Sequence, residues 1–395
     1  MKVVVPKEFF ADERRVALVP ETVAKLVKQG FEVRVQAGAG VEAYFPDALY
    51  QEAGAALASD PAVLYAEADV VLKIQQLDVH PATGRHEAEM LREDAALISF
   101  LEPLSQPAVM DRLAARRITS FSMDAIPRTT TAQRMDALSS MATVAGYAAV
   151  LIGAAALPRF VPMLVTAAGT IAPARVFVLG AGIAGLQAIA TARRMGAVVE
   201  AYDVRLAAKE EVESLGARFV SAADLTSADM QDAGGYAKEQ SAEFLQKVKD
   251  MLKDRVKNSD LIVTTARIPG ARPPLLVTED AVREMKPGSV IVDLAADMGG
   301  NCECTEAGKL VLKHGVNVYG LVNPASRMPL HASQMYSRNI ANFLVHLSEK
   351  DGSRLKLDFE DEIARESCIT HGGEVRHRRT CERVEAWRQK QGGAR

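Results

Sequence analysis

Val176-Phe177-Val178-Leu179-Gly180-Ala181-Gly182-Ile183-Ala184-Gly185 decides how this chain folds. A short apolar run of strand character enters a G-x-G-x-x-G pattern and leaves it with helical spacing. Each glycine has its own physical task. Gly180 makes the tight turn, Gly182 lets backbone approach a pyrophosphate, and Gly185 allows close helix–strand packing. The anion then rests on the helix start, where free N–H groups and the helix dipole favour negative charge. The following run, Val198-Val199-Glu200-Ala201-Tyr202, ends at Asp203. That is about 20 residues beyond the glycines, where a carboxylate accepts ribose hydroxyls. A carboxylate there repels a 2′-phosphate, which favours NAD(H) over NADP(H). Arg205, two residues on, is the one residue nearby able to accommodate such a phosphate.

Around this motif the chain alternates strand and helix patterns, which implies α/β architecture with largely parallel sheets. Arg175 to Leu179 and Val198 to Tyr202 are strands flanking a helix from Ile183 to Met195. Leu261-Ile262-Val263, Ser289 to Asp293 and Asn317 to Tyr319 are further strands, with helices expected over Gln240–Lys257 and Glu303–Lys313. Ala223 to Glu239 is polar and breaks the periodicity, as a mobile loop or an active-site cover does. The first hundred-odd residues repeat the alternation. Val3-Val4-Val5, Phe31 to Val35, Val70-Val71-Leu72, Leu97 to Phe100 and Ile118 to Phe121 read as strands. Pro20 to Gln29 and Ala108 to Arg116 read as helices.

Composition narrows the class. A length of 395 residues suggests two or three domains at roughly 150 residues each. Lys+Arg 47 against Asp+Glu 50 leaves a net charge of −3, without the basic excess of a nucleic-acid binder. Cys302, Cys304, Cys368 and Cys381 are too few for a disulfide scaffold, and Cys302-Glu-Cys304 lacks the spacer of a zinc or thioredoxin-type pair. No metal site is expected. The opening MKVVVPKE has no apolar h-region, so no export signal is expected. Ala137 to Pro158 carries no charge and is long enough to span a bilayer. Its alanine, glycine and hydroxyl content lowers its transfer energy and suits a buried helix, so no direct membrane span is expected.

Beyond Leu330, Ile340, Phe343, Leu344 and Leu347 recur at helical spacing, and this helix is expected to return the chain to the first domain. From His371 onward, Arg376, Arg378, Arg379, Arg383 and Arg388 lie among polar residues and read as a flexible basic tail. The expected domains are residues 1–136 plus 330–370, residues 137–329, and the tail 371–395.

Several residues carry candidate chemistry. Asp293 and Asp297 lie at the carboxyl end of a strand, where ligands of open α/β sheets bind, and each serves equally as an acid or base or as a loop cap. Lys73 also ends a strand, either as an ion-pair partner or as a catalytic group. Arg128 to Ser139 (RTTTAQRMDALS) is a polar loop that leads into the Ala-rich helix. Its guanidinium, amide, carboxylate and hydroxyl suit a dinucleotide; they equally suit a helix cap and a solvated turn.

At this loop, taken with the glycine motif, the chain resembles the NAD(H)-binding component of proton-translocating NAD(P) transhydrogenase, a family related to alanine dehydrogenase. The similarity runs through PKE at Pro6–Glu8, ERRVALVPE at Glu13–Glu21 and GAGIAGLQAIATARRMGA at Gly180–Ala197. It continues through AYDVR at Ala201–Arg205, GGYAKE at Gly234–Glu239 and VDLAADMGGNCE at Val292–Glu303. The resemblance implies two Rossmann-like domains flanking a cleft, with the first discontinuous and completed by the C-terminal helix. It implies that Arg128, Asp136 and Ser139 position the NAD(H) ring, while Gln133 reaches toward NADP(H) on another component. The nucleotide-binding set is then Arg128, Thr129, Thr130, Gln133, Asp136, Ser139, Gly180, Ala181, Gly182, Ile183, Gly185, Asp203, Val204, Arg205, Gly235, Tyr236, Ala266 and Arg267, with Tyr236 on a mobile flap. The resemblance further implies a homodimer, cytoplasmic and peripheral to the inner membrane, docked on NADP(H)-binding and membrane-spanning subunits that hold the proton channel. Hydride passing directly between two nicotinamides requires orientation rather than an acid/base pair.

An alanine-dehydrogenase-like amino-acid oxidoreductase is the main alternative. It would use Arg15 and Lys73 for the substrate carboxylate and carbonyl, with Asp297 near the ring. Relatives of that type place a catalytic histidine at a strand end that here reads Ser99-Phe100-Leu101-Glu102-Pro103. Reductive amination needs a group that cycles protons near neutral pH, which favours the transhydrogenase. A non-enzymatic, NAD-responsive binding module is the third reading.

Overall fold

The computed structural model describes residues 1–220, 251–268 and 270–392. The chain divides into two units, Met1–Met141 with Ser326–Arg395, and Ala142–Ala325. These divisions lie a few residues from those expected at 136/137 and 329/330. The first turn of the Ala-rich helix belongs with the first unit, where Arg15 Nη1 reaches Met141 Sδ at 3.2 Å.

The first unit is built on β1 (Lys2–Val5), β2 (Glu32–Gln36), β3 (Ala56–Ala58), β4 (Val70–Leu72), β5 (Ala96–Ser99) and β6 (Thr119–Ser122), all parallel. The central β1, β4 and β5 are apolar runs with almost every side chain buried, as strands covered on both faces must be. Helices Pro20–Lys28 and Pro107–Ala115 form close to the expected ranges, each with proline in its first turn. The returning helix Pro329–His346 is stitched to the N-terminal segment. Val16 N–H donates to Ser333 Oγ at 3.1 Å and Val19 N–H to Ser337 Oγ at 3.0 Å, and the Phe121 and Phe343 rings pack edge-on.

The last residues are not a solvated tail. Cys368–His371 and Glu374–Val375 form two strands that extend the first sheet antiparallel from β6, and Arg378–Gly392 is a helix. Thr370 Oγ1 bonds Ser120 Oγ and Ile118 O, both at 2.7 Å. Ile369 and Val384 are buried in the same core cluster as Met110 and Leu113. In a run dominated by arginine the few apolar residues that anchor it carry little periodic signal, so the charges set the expectation.

The second unit holds β7 (Leu164–Thr166) and β8 (Gly169–Ile171), a separate hairpin, and a larger sheet. That sheet comprises β9 (Arg175–Leu179), β10 (Val198–Tyr202), β11 (Arg218–Val220), β12 (Leu261–Thr264), β13 (Val290–Asp293), β14 (Leu310–Lys313) and β15 (Val316–Gly320). Among the described residues its order is β11-β10-β9-β12-β13-β15-β14, parallel except for the β14 edge. Strand order reverses beside β9, the usual place for a ligand in a doubly wound sheet. From Ala142 onward, the Ala137–Ala156 helix packs within this unit. A Cβ on its Gly146 would lie 2.0 Å from Ala184 O, and one on Gly153 would lie 2.5 Å from the Leu261 side chain. Long and apolar enough to cross a membrane, it has half of its most apolar window buried inside the protein.

The helix expected over Glu303–Lys313 does not form; turns lead instead into β14. His314 and Gly315, at φ +53° and +81°, make the two-residue turn joining β14 to β15. Both central residues of that turn type need positive φ, so His-Gly is a hairpin signal hidden by helical-looking spacing upstream. Of the helix expected over Gln240–Lys257, residues 251–258 are helical and the remainder lies outside the described residues.

Candidate functional site

The three glycines differ in their surroundings. Gly180 sits at φ +102°, and a Cβ there would come 2.6 Å from Thr265 Oγ1. A Cβ at Gly185 would overlap Gly180 O at 1.8 Å, so helix Ile183–Arg194 packs on the turn only without a side chain. At Gly182, the residue before that helix, nothing lies within 4 Å of a built Cβ, and no side chain caps the first turn. The open, uncapped helix start leaves backbone N–H groups where an anion such as a diphosphate can approach. Ala181 is buried and Ile183 exposed beside it.

Behind the helix start, the Asp203 carboxylate accepts from Ala181 N–H at 2.7 Å and from Arg205 N–H at 2.8 Å. The Arg205 guanidinium lies along the same carboxylate, with Nε at 3.0 Å and Nη2 at 3.2 Å, and Nη2 also donates to Ala181 O. The arginine that would welcome a 2′-phosphate is therefore committed to Asp203. Val204 is half-buried against the core.

The neighbouring strand ends support this turn. Thr265 Oγ1 donates to Gly180 O at 3.0 Å. Asn301 exchanges two bonds with Ala266, Oδ1 accepting from its N–H at 3.1 Å and Nδ2 donating to its carbonyl at 2.9 Å. Asp293 settles as a loop organiser: fully buried, it accepts from the N–H groups of Ala295, Asn301 and Cys302 and from Thr305 Oγ1. Arg267 donates to Leu294 O and pairs with Asp297 at 2.7 Å.

In the first unit, the Arg128–Ser139 loop contains a short helical turn, Gln133–Met135, and then the start of the long helix. Asp136 caps that helix, accepting from Ser139 N–H at 2.8 Å and from the Ser139 hydroxyl. Arg128, Thr130 and Gln133 are exposed, and Thr129 Oγ1 lies 3.1 Å from Thr131 Oγ1. The cap reading is thus satisfied for Asp136 and Ser139. Gly235 and Tyr236 lie outside the described residues.

Arg15 and Lys73 are buried and neutralised. The Arg15 guanidinium grips Glu13 through two bonds, at 2.8 and 2.5 Å. Burial alone would raise the Glu13 carboxyl, but Arg15 and Gln75 hold it down at about 2. Lys73 Nζ lies 2.8 Å from Glu87 and 3.3 Å from Glu8. Burial disfavours its charge, yet the two carboxylates raise its pKa above the usual lysine value. Glu102, at the strand end, is exposed at φ +46°.

Sequence reasoning misses Thr265, Asn301, Asn339 and Asn342. Asn301 follows Gly299-Gly300 at a strand's carboxyl end, a readable signal. The other two asparagines stand three apart on the Pro329–His346 helix, both donating to Arg134 O.

Residues 4–145 match the family described as alanine dehydrogenase/PNT, N-terminal domain, and residues 149–378 match its C-terminal domain. The chain is 46% identical to the first portion of the NAD(P) transhydrogenase alpha subunit of Rhodospirillum rubrum over 377 residues, 95% of this chain and 98% of that protein. It is 30% identical to the alanine dehydrogenase of Halomonas elongata, over 97% and 96% of the two chains. The solved structure of a transhydrogenase from Sinorhizobium meliloti superposes with a TM-score of 0.84 at 41% identity, covering 95% of this chain and all of that one.

Proposed function

This chain belongs to the alanine dehydrogenase/PNT family, and from that premise we propose that it is the NAD(H)-binding component of a proton-translocating transhydrogenase. It exchanges hydride with NADP(H) held on a partner component, and membrane subunits couple that exchange to proton movement. The observation that carries the reading is the open helix start at Gly182 with Asp203 directly behind it. The residues fit the group: the uncapped turn takes the diphosphate, and Asp203 takes the ribose hydroxyls once Arg205 swings off one of its oxygens. The bound dinucleotide supplies the hydride at its nicotinamide ring.

The chain's own role is orientation. Arg128, Asp136 and Ser139 position the ring, and the Asp136–Ser139 cap makes their loop stiff. Gln133, exposed on the same turn, reaches toward the partner's nucleotide. Thr129, Thr130, Val204, Ala266, Arg267, Gly235 and Tyr236 complete the nucleotide surroundings. Holding two reactants in a near-attack arrangement contributes up to about 7–11 kcal/mol without any proton-transfer group.

The alternative amino-acid chemistry is disfavoured by the committed state of Arg15 and Lys73, whose charges are spent on Glu13, Glu8 and Glu87. In this reading the chain sits at the inner membrane through its partners and acts as a homodimer. The β7–β8 hairpin, with Val165 77% exposed and Phe160 beside it 54% exposed, is the apolar surface that a second copy would cover.

The test is to mix the purified chain with an NADP(H)-binding transhydrogenase component and follow NADH-to-NADP+ hydride transfer. Transfer in the mixture, with NADH bound far more tightly than NADPH by fluorescence titration, is the expected result. NADH-dependent reductive amination of pyruvate by the chain alone would overturn it in favour of an alanine dehydrogenase.

A further inference from the structure

We propose that Asn339 is a positioning residue for hydride transfer, acting through the backbone of the Arg128–Ser139 loop. The inference rests on the function proposed above, but its first readout does not.

The loop's reactive portion is a single turn of helix, Gln133–Met135. One turn of this kind is too short to hold itself in water. Two side chains of the Pro329–His346 helix hold it from outside. Asn339 Nδ2 donates to Arg134 O at 2.9 Å, and Asn342 Nδ2 donates to the same carbonyl at 3.3 Å. Asn339 is buried and Asn342 exposed, so the first bond is the shielded, stronger one. Arg134 follows Gln133 directly. A displacement of its carbonyl therefore moves the Gln133 side chain with it, along with the Asp136 cap two residues on.

Asn339 is costly to the fold in one respect. Its Oδ1 is buried and has no hydrogen-bond partner among the described residues. A buried acceptor left unpaired is destabilising. Asparagine is also a weaker helix former than leucine. An apolar residue of similar size would suit this helix position better if packing were its only task. The donor to Arg134 O is the property that the apolar residue lacks.

The experiment is Asn339→Leu in the full chain. Its readouts are amide hydrogen exchange, Tm, NADH affinity, and hydride transfer with the partner component. Exchange over residues 133–136 is expected to quicken about tenfold, and kcat at saturating NADH to fall about tenfold or more, as small misplacements do. Tm is expected to hold or rise, and NADH affinity to fall by a smaller factor than kcat, since the diphosphate site is elsewhere in the chain. Asn342→Ala is expected to show the same pattern more weakly.

Unchanged exchange in the loop would overturn the anchor, whatever the enzyme's activity. Faster exchange with wild-type kcat would overturn the link to hydride transfer. Loss of Tm, affinity and kcat together would make Asn339 a structural residue and also overturn the proposal. Failure of the unsubstituted chain to transfer hydride would instead defeat the functional reading, while the exchange result would still decide the anchor.

Discussion

At the scale of single residues, chemistry and stability separate most cleanly at the three glycines. Gly185 is demanded by the fold, because any side chain would collide with the Gly180 carbonyl. Gly182 is not, since open space surrounds it. Gly182→Ala is therefore expected to leave Tm within a few degrees while weakening NADH binding at least tenfold, about 1.4 kcal/mol. Differential scanning calorimetry and NADH fluorescence titration check this pair of outcomes. Gly185→Ala is expected to lower Tm strongly and abolish binding as a consequence. Both glycine roles are legible in the sequence, because the motif's spacing encodes them. The state of Asp293 is not. A carboxylate at a strand end looks the same in sequence whether it faces substrate or, as here, four internal donors. Arg205 poses the same problem, resolved by its pairing with Asp203.

At the scale of elements, strongly periodic segments are readable and sparse ones are not. The parallel strands β1, β4, β5, β9, β12 and β13 announce themselves as mostly apolar runs, because burial on both faces leaves few polar positions. The Arg378–Gly392 helix gives no such sign. It is mostly exposed and makes its attachment through Val384 and the ion pair of Arg388 with Asp111. Its contribution is expected to lie in the buried contacts rather than the charges. Deleting residues 378–395 should lower Tm by several degrees, whereas Arg388→Ala should change stability by less than about 1 kcal/mol, as exposed pairs do. Thermal denaturation followed by circular dichroism compares the two. Equal losses would mean that the ion pair, not Val384, fastens the helix. The β14–β15 hairpin teaches a related point. Two turn residues with positive φ outweigh a helix-like pattern across the preceding ten or so positions.

At the scale of the whole molecule, the β7–β8 hairpin bears on the proposed dimer. A two-stranded hairpin alone is marginally stable in water, and this one exposes Phe160, Met163, Val165 and Ile171 on or beside its strands. With a second copy as the cover, Val165→Asp is expected to convert a sedimenting dimer to monomer while leaving NADH affinity within about twofold. A dimeric Val165→Asp chain would remove the hairpin from the interface. Such a surface escapes sequence reading because its strands are three residues each, shorter than any periodicity can register. The α/β class, the glycine turn with the carboxylate that closes the next strand, and the return of the C-terminal helix all follow from the order of residues alone. Each is written in local spacing, where neighbouring residues share one task. Which charges are free to act is settled only by the folded chain. There Arg15, Lys73, Asp293 and Arg205 are already committed to partners, and Asn339 reaches across about 205 positions to hold the Arg134 carbonyl. Pairing between residues far apart in the chain depends on where folding brings them, and no local pattern records that.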